Sequence, residues 1–169
     1  MSLAVNISAV QFWRGDLLET VAVAIRESGI APGKLELEIT ETVMMEFPDI
    51  VAEKISALKR LGVRIALDDF GTGYSSLSYL NRFAVDTLKV DRSFVDGLGT
   101  EPGDTAITEA IIAMSHALSL DVVGEGAETA LQIAELTRLG CDFAQGFHFS
   151  RPVPADDITR MLTAGPAWA

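Results

Sequence analysis

Three observations predict an α/β chain built on the plan of a parallel (β/α)8 TIM-type barrel, incomplete at six βα units. Short β-rich runs alternate with longer stretches of helical periodicity, the pattern of βα repetition and a parallel sheet. Each run sets aliphatic residues on one alternating face and at least one polar group on the other. The polar members fall near the ends of their runs, where a barrel gathers side chains from many strands at its C-terminal mouth. An open sheet covered by helices on both faces has no need of such a polar phase.

The first run, "LAVNIS", opposes Val5 and Ile7 to Asn6 and precedes a helical pattern over 14–28. In "LELEIT", Leu35, Leu37 and Ile39 oppose Glu36, Glu38 and Thr40, and a helix is predicted over 47–61. "VRIALDD" sets Ile65 and Leu67 against Arg64, Ala66 and Asp68 before a helix over 75–82. "TLKVD" places Leu88 and Val90 opposite Lys89 and Asp91, with a helix over 104–119. "DVVGEG" opposes Val122 to Asp121, Val123 and Glu125 ahead of a helix over 129–139. In "DFAQG", Ala144 opposes Phe143 and Gln145, and the last helix is predicted over 155–163. "SGIAPGK", "LGV", "LGTEPG" and "LGCD" supply the Gly and Pro that end helices. Asn6, Glu38, Asp68, Lys89, Glu125 and Gln145 therefore read as one convergent site, and residues 1–169 as one partial domain.

Composition narrows the partners. With 13 Lys and Arg against 24 Asp and Glu, the net charge of −11 repels nucleic acid and anionic membranes. An anionic ligand can still bind where bound cations reverse the local potential. The single cysteine, Cys141, lies in the apolar stretch "LGCDFA" and reads as a small packed residue. No apolar stretch reaches the roughly 18 residues of a membrane span, and "MSLAVNIS" lacks the regions of a signal peptide. A cytoplasmic location is the expectation.

Asn6, Glu38, Asp68, Asp69 and Glu125 offer only oxygen ligands, a set that suits Mg²⁺ or Mn²⁺ rather than zinc or copper. Neither histidine, His116 or His148, has metal-ligand spacing. In a regular strand Asp68 and Asp69 point to opposite faces, but the following "GTG" permits a sharp turn that brings both to one cation cluster. A shared carboxylate then holds two ions about 3.5–4 Å apart, an arrangement used for phosphoester hydrolysis. Lys89, in mid-strand among apolar residues, needs a carboxylate or a polarised water as its partner, or an ion pair with Asp91.

At these residues the sequence resembles the EAL family of cyclic-di-GMP phosphodiesterases, metal-dependent TIM-type barrels that linearise the dinucleotide to pGpG. The resemblance runs from about residue 4 to the C-terminus and is carried by "NIS", "LELEITET", "DDFGTGYSSL", "LKVDRSF", "GEGAET" and "QGFHFSRP". It implies Asn6, Glu38, Asp68, Asp69 and Glu125 as ligands of two Mg²⁺ or Mn²⁺ ions, with Lys89 holding the attacking water. Catalysis would then rest on Lys89, Glu125, Asp68 and Asp69. It implies substrate contacts at Gln145 and Asp91, and anchoring of the loop "FGTGYSSL" by Glu41, Glu128 and Ser75. Cyclic-di-GMP as ligand, a homodimer, and an upstream sensory or diguanylate cyclase domain follow from the same resemblance.

Two departures stand out. The Glu-Ala-Leu tripeptide that names the family, with its phosphate-binding Arg, appears nowhere in the chain. Six βα units and 169 residues also fall short of the eight units and roughly 250 residues of a closed barrel. The sequence thus reads as cut at its front, with "MSL" as a remnant before a mid-domain start. A phosphodiesterase impaired as a fragment is the leading expectation, and a catalytically silent cyclic-di-GMP-binding module the alternative. An enolase-type barrel is the weaker third reading, since it gives no reason for the loop after Asp69 or for the "QG" motif.

Overall fold

The computed structural model describes residues 2–71, 80 and 82–164. Six strands form one parallel sheet in sequential order: β1 (Leu3–Asn6), β2 (Leu35–Thr40), β3 (Arg64–Phe70), β4 (Thr87–Val90), β5 (Asp121–Glu125) and β6 (Phe143–Gln145). The sheet curls into a half-barrel, with β1 and β6 as its edges among the described residues.

The predicted phase holds along the sheet. Leu37, Ile39, Ile65, Leu67, Leu88, Val90 and Val122 are buried in the core under the helices. The opposite phase faces the open interior, where Glu36, Glu38, Arg64, Thr87, Lys89 and Gln145 line a cavity of about 400 Å³.

The outer helices are α1 (Ala9–Arg14), α2 (Leu17–Ser28), α3 (Glu41–Glu46), α4 (Pro48–Arg60), α5 (Arg92–Val95), α6 (Pro102–Ala117), α7 (Ala130–Leu139) and α8 (Ala155–Ala164). The long ones match the periodicity; α1, α3 and α5 are short turns of helix that directly follow strand ends. "LAVNIS" stops as a strand at Asn6, because Ser8 and Gln11 form a reciprocal capping box that opens α1. The helix predicted over 14–28 accordingly splits at Gly15, and Asp16 caps the second piece through the Glu19 amide. Most of the helix predicted over 75–82 lies outside the described residues.

The lower ends of β3 to β6 are fixed by charged side chains. Asp86 accepts from the Ile65 amide and pairs with Lys59 at 2.5 Å. Asp142 accepts from the Val122 amide and meets the exposed His116 Nε2 at 3.0 Å, linking α6 to the start of β6. Burial pushes the Cys141 thiol up, consistent with a packed and unreactive cysteine.

Ile65 is fully buried at the centre of the sheet. Replacing it with Ala should lower unfolding free energy by about 2–5 kcal/mol in a urea titration. Arg138→Met, on the exposed face of α7, should stay within about 0.5 kcal/mol of the unaltered chain.

Candidate functional site

The site starts from strand alternation. Glu38 on β2, Lys89 on β4 and Glu125 on β5 share the interior phase; in register Glu38 stands beside Ala66 and Lys89 beside Val123, so the three rise by two residues at each step and their long side chains close the gap. Lys89 Nζ lies 2.8 Å from Glu38 Oε1, 2.9 Å from Asp68 Oδ1 and 2.7 Å from Glu125 Oε1. Its partners are therefore three carboxylates from three other strands. The alternative pairing with Asp91 does not form: Asp91 instead caps α5, accepting from the Ser93 amide at 3.0 Å and its hydroxyl at 2.5 Å.

Asp69 reaches the same place by a different device. The β3–β4 register advances three residues on β3, from Leu67 to Phe70, against two on β4, from Leu88 to Val90. This bulge places Asp69 at φ +56°, in the left-handed region that Asp tolerates better than most residues. Both carboxylates are thus aimed at one point within the strand, before the glycines that the sequence suggested would turn them. One oxygen from each of Asp68, Asp69 and Glu125 falls within 4.8 Å of the others.

Gly71 ends the bulge at φ +99°, and a Cβ there would come within 2.6 Å of the Phe94 ring. Its amide donates to Glu41 Oε2 at 3.1 Å, so buried Glu41 holds the root of the loop after β3. Ser75 lies outside the described residues. Glu128 pairs with Arg92 at 2.9 Å, tying the end of β5 to α5.

Gln145 comes to the edge of the site because β6 packs tightly on the segment after β5. The Ala127 amide donates to the Gln145 carbonyl at 3.0 Å, and a Cβ on Gly146 would lie 2.1 Å from the Ala127 oxygen. Asn6 pairs in register with Glu38 on the edge strand β1 and is exposed.

Electrostatics divide the groups. Burial disfavours the Lys89 ammonium, but its carboxylates outweigh that and raise its pKa, so it stays charged at neutral pH. Burial pushes Glu125 up to about 7 against the pull of Lys89. Asp69 is raised by burial and by the nearby charges of Asp68 and Asp91, opposed by Lys89. One ammonium faces four carboxylates, and a site so overloaded with negative charge favours an added cation.

Fold and site together define a carboxylate-rich parallel half-barrel, its acidic groups gathered about one buried lysine at the C-terminal ends of the strands. The chain belongs to the EAL domain family, whose model matches residues 1–152. Among its relatives, the bifunctional diguanylate cyclase/cyclic di-GMP phosphodiesterase MucR of Pseudomonas aeruginosa is 43% identical over 93% of this chain. MucR's phosphodiesterase, solved as a c-di-GMP complex, superposes with a TM-score of 0.88, covering 93% of this chain and 64% of that one. The EAL domain of Mycobacterium smegmatis DcpA gives a TM-score of 0.92 at 42% identity, over 99% of this chain and 75% of that one. Klebsiella pneumoniae BlrP1, solved as a manganese/cy-diGMP complex, gives 0.82 at 33% identity, over 89% of this chain and 39% of that one. The chain spans 23% of the length of MucR and 21% of the signaling protein YkoW of Bacillus subtilis.

Removing Lys89 strands three carboxylates that are largely out of water. Lys89→Met should cost about 3–5 kcal/mol of unfolding free energy at neutral pH, measured by urea titration. A loss within about 0.5 kcal/mol, as for an ordinary surface substitution, would show that the carboxylates relax into water without their partner.

Proposed function

We propose that the chain is the catalytic part of a cyclic-di-GMP phosphodiesterase that opens one phosphodiester bond of the cyclic dinucleotide to give linear pGpG. The observation that carries this reading is the convergence of Glu38, Asp68 and Glu125 on Lys89, with Asp69 brought alongside by the bulge.

The donor set fits a hard divalent cation. Every candidate ligand is a carboxylate or amide oxygen, and the cluster carries more negative charge than Lys89 balances. Glu38, Asp68, Asp69, Glu125 and Asn6 would hold Mg²⁺ or Mn²⁺, with two ions as the reading the resemblance supports. Bound there, divalent cations would supply positive charge to a phosphodiester oxygen and acidify water.

The chain's own groups then divide the remaining work. An ammonium has three protons, and Lys89 directs them at three carboxylates. Were Asp68 and Glu125 to turn oxygens toward a bound cation, one N–H of Lys89 would be freed to donate to a water and hold it for in-line attack. The water oxygen bonds to phosphorus as it gives up a proton, the bond from phosphorus to one sugar oxygen breaks, and that oxygen takes up a proton, so the net transfer is one proton from the water to the leaving oxygen. Gln145 and Asp91 contact the dinucleotide at the rim. Glu41 and Ser75 hold the loop after β3, while Glu128, expected to share that task, instead braces α5 through Arg92.

A homodimer and an upstream sensory or diguanylate cyclase domain complete the proposal, the cyclase supported by MucR's bifunctional name. No helix among the described residues is long and apolar enough to cross a membrane. The cyclic dinucleotide is an intracellular messenger, which supports action in the cytoplasm. A silent cyclic-di-GMP receptor is the second reading. It is favoured by the exposure of Asn6 on β1, an edge of the sheet among the described residues.

Calorimetric titration with Mn²⁺ should show binding that Asp68→Asn largely removes while circular dichroism stays unchanged. With Mn²⁺ and cyclic-di-GMP, chromatography should show pGpG, formed at least about 100-fold more slowly by Asp68→Asn. Dinucleotide that is bound but never converted would establish the receptor reading. Equal Mn²⁺ affinity in both proteins would make the carboxylate cluster structural.

A further inference from the structure

Beneath the Lys89 cluster, the same faces of the same strands carry a second polar layer. Arg64 Nε donates to Glu36 Oε1 at 3.2 Å, and Nη2 donates to Thr87 Oγ1 at 3.0 Å and to Asp121 Oδ2 at 2.5 Å. Thr87 Oγ1 donates in turn to Glu36 Oε1 at 2.6 Å. One guanidinium on β3 is thereby joined to β2, β4 and β5. Burial would lower its pKa, but Glu36 and Asp121 outweigh that and raise it.

Each member stands below a member of the upper cluster. Glu36 precedes Glu38 and Thr87 precedes Lys89 by two residues; Arg64 precedes Asp68 and Asp121 precedes Glu125 by four. Two residues of strand span roughly 6.6 Å, so the lower layer acts on the upper through the strand backbones.

The bulge makes that action consequential. Above Leu67 the β3–β4 ladder shifts register, so regular pairing below the site is confined to Ala66 with Thr87 and Leu67 with Leu88. The Arg64–Thr87 bond crosses this same joint just beneath it. Cation coordination tolerates errors of only about 0.2 Å in ligand position, far less than one strand step.

We propose that Arg64 is a positioning residue of the site. By its bonds to Glu36, Thr87 and Asp121 it fixes the axial offsets of β2, β4 and β5 against β3, and so the spacing at which Glu38, Asp68 and Glu125 bind a cation. This rests on the cation reading above. Lysine cannot replace it, because a single ammonium lacks the planar fork that meets three partners at fixed angles.

The test pairs Mn²⁺ calorimetry with melting temperature, each titration run well below the melting point. Arg64→Met should bind Mn²⁺ at least about tenfold more weakly than the unaltered chain, the scale seen when groups supporting metal ligands are lost. Arg64→Lys should recover melting temperature more than affinity, a split that a purely stabilising residue would not give. Thr87→Val keeps both ion pairs and should weaken Mn²⁺ binding in the same direction, which carries the test if Arg64→Met does not fold. Arg138→Met, the surface control, should leave affinity unchanged. Affinity equal to that of the unaltered chain in Arg64→Met or Thr87→Val, whatever the melting temperature, overturns the proposal. Absence of Mn²⁺ binding by the unaltered chain overturns the cation reading, and this inference with it.

Discussion

The site depends on one ammonium. Lys89 sits almost wholly out of water and is held there by carboxylates from β2, β3 and β5. A buried cation is costly unless it is paired, and so is each of its partners. That mutual need makes the arrangement specific: slipping any of these strands by one residue would turn its charged group away from the interior. The aliphatic phase packed under the helices fixes the same register from the other side.

The cluster is more acidic than its single cation can balance, and that imbalance links stability to function. A protein built for stability alone would match its charges or replace them with apolar side chains of similar volume. Retaining Asp69 in a left-handed conformation, beside Asp68 and near Asp91, adds strain and repulsion. Such costs are expected where a cation is to be received. A bound cation would also offset the surface field of a chain of net charge −11, which opposes the approach of any anion.

Much of this was legible in the sequence wherever a simple period governs the outcome. Alternation alone places Glu38, Lys89 and Glu125 on the polar face of their strands, because aliphatic neighbours fix the phase of each strand. Asp69 escaped that logic: its inward turn comes from a bulge within β3, and no two-residue period announces a bulge. The short helices α1, α3 and α5 were missed because periodicity needs more than one turn to show. The Ser8–Gln11 capping box was the available signal for α1. The Arg64 network was invisible for another reason. Arg64 and Asp121 lie 57 residues apart, and only the register of β3, β4 and β5 brings them together.

The central claim is that Glu38, Asp68, Asp69 and Glu125, gathered about Lys89, form a cation site. Paramagnetic broadening tests it most directly. Substoichiometric Mn²⁺ added to the isotopically labelled chain should first broaden amide resonances around residues 38, 68, 69, 89 and 125. Broadening that begins instead at exposed acidic positions such as Asp156 and Asp157 on α8, and spares those residues, would contradict it.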